Sequence, residues 1–217
     1  MAEPSLNGAV ARPRRRNAAS TRRKLLIAAR QEFARNGLAG ARVDAIAAQA
    51  GVNKQLLYHY FGDKDAIYVA VLEWIYDEIK QYEQSLNFNG LKPDRLMKKI
   101  VGSWFDYLSL HPDFVAIMDD ESRNQAVHIR GLQQLPAIGP LLLRIFSLTL
   151  AQGAREGVFR RGVNPTQLCI SIGALSYFYF SGLPTLQAIF NKNLSTEPAL
   201  RERRRHVVDF VMRALRP

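Results

Sequence analysis

Side chains that can hydrogen-bond to nucleic acid are concentrated between residues 42 and 64. The Gln55 amide can pair with adenine and Lys54 with guanine or phosphate, and both lie with His59 on one predicted helix. The hydroxyls of Tyr58 and Tyr60 can reach phosphate oxygens. These residue types predict a surface that reads DNA. The candidate contact residues are Arg42, Lys54, Gln55, Tyr58, His59, Tyr60 and Lys64.

The segment that carries them, VDAIAAQAGVNKQLLYHY over residues 43–60, has the layout of a helix-turn-helix. Ile46 and Leu57 are spaced to supply apolar contacts between two short helices. Gly51 permits a positive φ at the turn, and Asn53 is a favourable N-cap for the second helix. Such a second helix can enter the major groove. An ordinary helical hairpin is the alternative that this segment alone leaves open.

The whole chain is predicted to be all-α. A first helix begins at Ser20 and stops at Gly37, and the apolar stripe after Asp63 predicts a connecting helix over about 64–86. After a break from Asn87 to Pro93, one further helix is predicted to about His111. The remaining helices are predicted over 112–122, about 140–157, 165–190 and 198–215. The predicted organisation is a disordered basic arm (1–19), a DNA-binding head (20–64) and a ligand-binding and dimerisation domain (65–217).

The charge of the chain points to a polyanionic partner. There are 30 Lys and Arg residues against 19 Asp and Glu, a net charge of +11. Residues 1–64 contain twelve basic and four acidic residues, so the excess is concentrated at the N-terminal end. This asymmetry favours double-stranded DNA over a membrane surface.

Catalytic, metal and cofactor sites are not predicted. Cys169 is the single cysteine, and with four scattered histidines it cannot form an internal disulfide or a Cys/His zinc site. Asp119, Asp120, Glu121 and His128 could be imagined as metal or acid–base groups, but we interpret the acids as a solvated helix face. Cys169 is interpreted as a buried small hydrophobe. We expect that the protein is not an enzyme and that it binds no metal and no cofactor.

The uncharged run from Gly162 to Asn191 is long enough to span a bilayer. Polar residues and Pro184 interrupt it, and no second span follows. We interpret it as a buried helix of a cytoplasmic protein with no membrane partner.

Residues 22–73 resemble the DNA-binding domain of the TetR family of bacterial transcription factors. The resemblance is carried by Phe33, Gly37, Ile46, Ala47, Ala50, Gly51, Val52 and the segment LLYHYFGDKDAIYVAVL. The resemblance implies a three-helix DNA head, a fourth connecting helix and a helical domain for ligand binding and dimerisation. The C-terminal half resembles, more distantly, the pyrimidine-sensing RutR branch, through VNPTQLCISIGALSYFYF and the terminal ALRP.

The start of the second helix departs from the family pattern. Ala41 and Arg42 stand where the family often has two hydroxyl residues. Arg42 could replace the phosphate contact by charge, but the cap is lost unless Gly40 or Asp44 compensates. The departure affects the operator sequence rather than DNA binding itself.

The resemblance leads to a prediction of function: a repressor that binds a near-palindromic operator as a homodimer and is released by a small molecule. The predicted ligand-binding residues are Trp74, Trp104, Tyr107, Phe114, Met118, Asn124, His128 and Tyr177. The aromatics among them could instead simply fill the core. Phe178, Phe180, Phe210 and Val211 are candidate dimer contacts on helices 165–190 and 198–215. A ligand-independent DNA-binding protein, or an enzyme, is the alternative.

Overall fold

The computed structural model describes residues 13–132 and 135–217, and the side chains of residues 18–132 and 143–217. The described residues form helices and no strand, so the all-α prediction is confirmed. The helices are α1 (Pro13–Gly40), α2 (Val43–Ala50), α3 (Lys54–Phe61), α4 (Lys64–Ser85), α5 (Pro93–Leu110), α6 (Pro112–Arg123), α7 (Leu135–Arg155), α8 (Pro165–Ser181), α9 (Leu183–Phe190) and α10 (Glu197–Ala214).

The first helix differs from the prediction at its start. It begins at Pro13 rather than Ser20, so residues 13–19 are helical and not part of a disordered arm; residues 1–12 lie outside the described residues. Pro13 is favourable at a first helical position, and the arginines after it are good helix formers. The predicted stop is confirmed, because Gly37 has φ 65° and ψ 176° and interrupts the helix.

The run predicted as one helix over 165–190 is two helices, α8 and α9, with a bend of 73° between them. Pro184 lacks the N–H that a continuous helix would bond to the carbonyl of Phe180, so the helix breaks at Gly182. Among the described residues, no single helix is long and apolar enough to cross a membrane; only this bent pair meets the length and composition required.

The chain divides into two compact units, Met1–Leu72 and Glu73–Pro217. The predicted boundary at 64/65 falls eight residues earlier, at the start of α4. In the first unit, Leu25, Phe33, Ile46, Leu57 and Tyr68 are almost completely buried. The rings of Phe33 and Tyr68 meet edge to face at 5.0 Å, so the core of this unit holds α1 against the first turns of α4.

In the second unit, α5 packs against α6, α7, α8 and α10. Its apolar face contributes Met97, Val101 and Phe105 to the main core. A bidentate ion pair from Arg204 on α10 to Asp106 on α5, at 2.7 and 2.8 Å, joins the two helices at the edge of that core.

Candidate DNA-binding surface and ligand cavity

The turn between α2 and α3 has the geometry that the sequence predicts. Gly51 has φ 69° and ψ 33°, in the left-handed region that glycine adopts most easily. The amide of Val52 donates to the carbonyl of Ala47 at 3.0 Å, which closes the end of α2. The Asn53 side chain accepts a 2.7 Å hydrogen bond from the amide of Leu56, so the predicted N-cap of α3 is confirmed.

The exposed side of α3 carries Lys54, Gln55, Tyr58 and His59. Their spacing of one, four and five residues places them on one face of the helix. Leu57, which is completely buried, anchors the opposite face. The helix therefore presents an ammonium group, an amide, a phenol and an imidazole to solvent, a set that can reach base edges and phosphates.

Lys54 is engaged within the protein. Its ammonium group lies 3.0 Å from the Asp44 carboxylate on α2, in an exposed ion pair, and 5.9 Å from the Tyr58 ring. The hydrogen bond and the charge of Asp44 raise the pKa of Lys54. Lys54 must therefore exchange Asp44 for DNA if it is to read a base.

The backbone amide at the start of α2 is capped by a side chain from α1. The Arg42 side chain makes no capping hydrogen bond, and neither Gly40 nor Asp44 takes over that role. Instead the amide of Arg42 donates to the buried carboxylate of Glu32 on α1, at 3.0 Å. The Arg42 side chain is exposed and available for a phosphate.

Lys64, at the first position of α4, is half-buried. Its ammonium group donates to the carbonyls of Ala39, at the end of α1, and Ala41, between α1 and α2, at 3.3 and 3.4 Å, so it joins α4 to both. Tyr60 and Phe61 are also half-buried, and the Arg22 guanidinium lies 5.2 Å over the Phe61 ring. The phosphate contacts predicted for Tyr60 and Lys64 stay predictions.

A cavity of about 320 Å³ lies among α4, α5, α7 and α8 in the second unit. Most of its lining is apolar and includes Phe88, Trp104, Phe146 and Ile172. The polar lining residues are Lys80, Tyr82, Glu83, Gln84 and Ser103. A volume of this size is at the lower end of the range for small-molecule sites, about 300–1,000 Å³.

Two family models match the sequence. Residues 25–71 match the model described as bacterial regulatory proteins, tetR family, and residues 93–211 match the tetracyclin repressor-like C-terminal domain. The chain belongs to the TetR family. The second match alone covers more than half of the chain, so the family assignment includes both units.

Sequence and structural similarity to known proteins supports the family assignment. The transcriptional repressor NicS of Pseudomonas putida is 30% identical over 203 residues, which cover 94% of this chain and 96% of NicS. The solved structure of SCO4942 from Streptomyces coelicolor is 27% identical in sequence with a TM-score of 0.66, and the match covers 91% of this chain and 99% of the SCO4942 chain. The matched family is one of bacterial regulatory proteins and NicS is a transcriptional repressor, so the prediction that the chain is not an enzyme is confirmed.

The RutR resemblance has narrower support. RutR of Escherichia coli is 43% identical over 65 residues, 30% of this chain and 31% of RutR. So short a match does not assign the C-terminal half to that branch of the TetR family. The branch assignment stays a prediction.

Of the predicted ligand-binding residues of this TetR-family chain, Trp104 lines the cavity. Tyr107 and Phe114 are buried beside it, with the Tyr107 ring stacked on Trp104 at 5.9 Å and on His111 at 4.3 Å. The structure brings these aromatics together as a cluster in which Trp104 alone reaches the cavity wall. Trp74 and Met118 are half-buried and are not part of that wall.

The three polar residues predicted to contact a ligand, Asn124, His128 and Tyr177, have hydrogen-bond partners inside the protein. The Tyr177 hydroxyl donates to the Asp119 carboxylate at 2.8 Å and lies 3.0 Å from the carbonyl of Val115. Burial and this hydrogen bond raise the pKa of Tyr177. Asn124 is exposed and donates to Asp120 at 3.4 Å. None of the three lines the cavity.

The interpretation of the acidic cluster as a solvated face is wrong. Glu121 is completely buried, and its carboxylate accepts hydrogen bonds from the amides of His128 and Ile129 at 2.8 and 3.0 Å. The His128 ring lies 3.0 Å from the same carboxylate. The segment after α6 folds back over Glu121 through positive φ values at Gln125 and Ala126, which helical periodicity does not predict.

Sequence reasoning missed most of the cavity wall. Glu83 and Ser103 were not predicted to face a ligand, because on their own helices they look like ordinary polar positions. Cys169 was expected to be buried, but it is half-buried at the cavity, and burial raises the pKa of its thiol. In the part of the chain that the structure describes, no three His, Cys, Asp or Glu residues are grouped so that they could hold a metal ion.

Proposed function

We propose that this TetR-family chain is a transcriptional repressor that binds a near-palindromic operator as a homodimer. The observation that carries the proposal is the exposed face of α3, where Lys54, Gln55, Tyr58 and His59 project from a helix anchored by Leu57. In a helix-turn-helix this is the helix that enters the major groove. A repressor acts on chromosomal DNA, and we therefore assign it to the cytoplasm.

The homodimer is supported by apolar side chains on α8 and α10. Phe178 and Phe210 are 60% and 52% exposed in the single chain. Phe180 packs on Phe105 and Val211 is buried in the core, so the first two are the better dimer contacts. A twofold axis would place two copies of α3 against two half-sites, which is why the operator is expected to be near-palindromic.

We further propose that a small molecule in the cavity lowers operator affinity. The cavity wall includes Lys80, Tyr82 and Glu83 of α4, the helix that begins at Lys64 and continues without a break to Ser85. A ligand that shifts α4 would alter the separation of the two α3 helices in the dimer. Because groove spacing is fixed, a mismatch would weaken DNA binding.

Selection of genomic fragments by the purified full-length protein tests the operator proposal. We expect an enriched motif with two related half-sites at moderate salt, and an affinity that falls steeply with salt concentration. Lys54→Ala and Gln55→Ala should change the preferred bases, whereas Arg42→Ala should weaken binding to all sequences alike. Failure to enrich any motif would contradict the proposal.

The alternative is a DNA-binding protein that does not respond to a ligand. The cavity argues against it, since an inert bundle would fill that space. A thermal-shift screen distinguishes the two: a ligand that stabilises the protein and lowers its operator affinity supports the regulated repressor.

A further inference from the structure

Within the residues that the structure describes, the carboxylate of Glu83 in the cavity wall has no hydrogen-bond or ion-pair partner. Glu83 is half-buried near Phe88, Trp104 and Ile172. Burial raises the pKa of the Glu83 carboxyl, as expected for an acid that loses water without gaining a cation.

The other polar groups of the wall are either satisfied or exposed. The Tyr82 hydroxyl donates to the carbonyl of Ser103 at 3.0 Å, and the Ser103 hydroxyl donates to the carbonyl of Ile100 at 3.0 Å. Lys80 and Gln84 are exposed, and their long side chains can keep their polar ends in water. Glu83 is therefore the polar group of this wall that a ligand has most to gain by contacting.

We propose that the cavity selects a small apolar amine, with an aromatic or branched body among the apolar side chains and a protonated amino group on Glu83. The inference rests on the proposed function, in which this cavity is the effector site. An ammonium group would give the carboxylate the charged hydrogen bond that it lacks, while a ligand carboxylate would be repelled.

The same wall disfavours a nucleobase-like ligand, the class suggested by the RutR resemblance. A pyrimidine carries several donors and acceptors around a small ring. Because the wall offers few free polar partners, most of those groups would lose water without replacement, and each loss weakens binding. Glu83 is thus a specificity-determining residue for the class of effector.

The test compares probes of similar shape on the full-length protein without DNA. Tryptamine is the amine, 3-propylindole its uncharged counterpart, indole-3-propionic acid the acid, and uracil the nucleobase. Calorimetric titration at neutral pH should show tryptamine binding at least about tenfold more tightly than 3-propylindole, with the acid and uracil weakest. Glu83→Gln should remove the preference for the amine while 3-propylindole still binds.

Glu156→Gln, which removes an exposed acid outside the cavity wall, is the matched control and should keep the preference. Equal affinities for tryptamine and 3-propylindole, tighter binding of the acid or of uracil, or no binding of any probe would overturn the inference. So would an unchanged preference in Glu83→Gln. The ranking in the unaltered protein tests the inference even if that variant does not fold.

Operator binding by the unaltered protein is measured separately, so the two proposals can fail independently. If the protein selects an operator but does not prefer the amine, the chemistry assigned to Glu83 is wrong and the repressor proposal stands. If no operator is found, the probe ranking still decides what the cavity prefers.

Discussion

At the scale of single residues, the ion pair between Asp44 and Lys54 competes with DNA. The pair is exposed and its N–O distance is 3.0 Å. Asp44→Asn should free Lys54 and remove a negative charge from the DNA-facing side of the protein. We expect operator affinity to increase by about three- to tenfold near 0.1 M salt. The slope of log affinity against log salt concentration should become steeper by about one for each DNA-binding head. Fluorescence anisotropy across a salt series measures both quantities.

Glu156→Gln provides the control for that change. It removes one exposed negative charge outside the helix-turn-helix, and so leaves the fraction of free Lys54 unchanged. An affinity gain of the same size in both variants would mean that overall charge, rather than release of Lys54, is responsible.

At the scale of elements, the end of α7 depends on a glycine that lies against an aromatic ring. A Cβ atom at Gly153 would overlap the ring of Phe159, which is 2% exposed in the core. Gly153→Ala must therefore displace either the ring or α7, and we expect the free energy of unfolding to fall by about 1–3 kcal/mol. Chemical denaturation followed by circular dichroism gives the change in midpoint.

Gly173→Ala on α8 is the matched substitution. Its Cβ would meet no atom within 4 Å, and alanine is the better helix former by about 1 kcal/mol. We expect Gly173→Ala to leave stability unchanged or to raise it. If both variants unfold at the same denaturant concentration, the packing role assigned to Gly153 is wrong.

At the scale of the whole molecule, the exposed phenylalanines of α8 and α10 predict self-association. Phe178→Glu combined with Phe210→Glu should give a chain that scatters light as a 24.5 kDa monomer, because a charged group in an apolar interface is unfavourable. The helical content should not change. Leu110→Glu, at a residue that is 71% exposed on α5, should remain dimeric. An unaltered protein that is monomeric at low micromolar concentration would contradict the dimer.

The coupling between ligand and DNA also belongs to the whole molecule. If the effector prefers the DNA-free state tenfold at each of two sites, operator affinity should fall about 100-fold, which corresponds to about 2.7 kcal/mol. Linkage requires the operator to weaken the ligand by the same total factor. Titrations of ligand with and without operator measure this. A ligand that binds the cavity without changing operator affinity would exclude the release mechanism and leave the site intact.

The helix-turn-helix was predictable from sequence because its determinants are local. Gly51 sets the turn, Asn53 caps α3 three residues from the amide that it accepts, and the periodicity of α3 separates its exposed face from Leu57. Each of these relations spans fewer than six residues, so neighbouring side chains and backbone sterics determine it. The family resemblance extended this local result to the layout of the whole chain.

The tertiary structure alone decided which polar and aromatic groups face the cavity. Periodicity places Trp104 and Tyr107 near one another on α5, but only the helices packed around them make Trp104 part of the wall and bury Tyr107. Glu121 is buried because the segment after α6 returns over it, and Glu32 caps an amide ten residues away. A side chain's burial and charge state depend on which distant segment covers it, and a pattern along one helix carries no information about that segment.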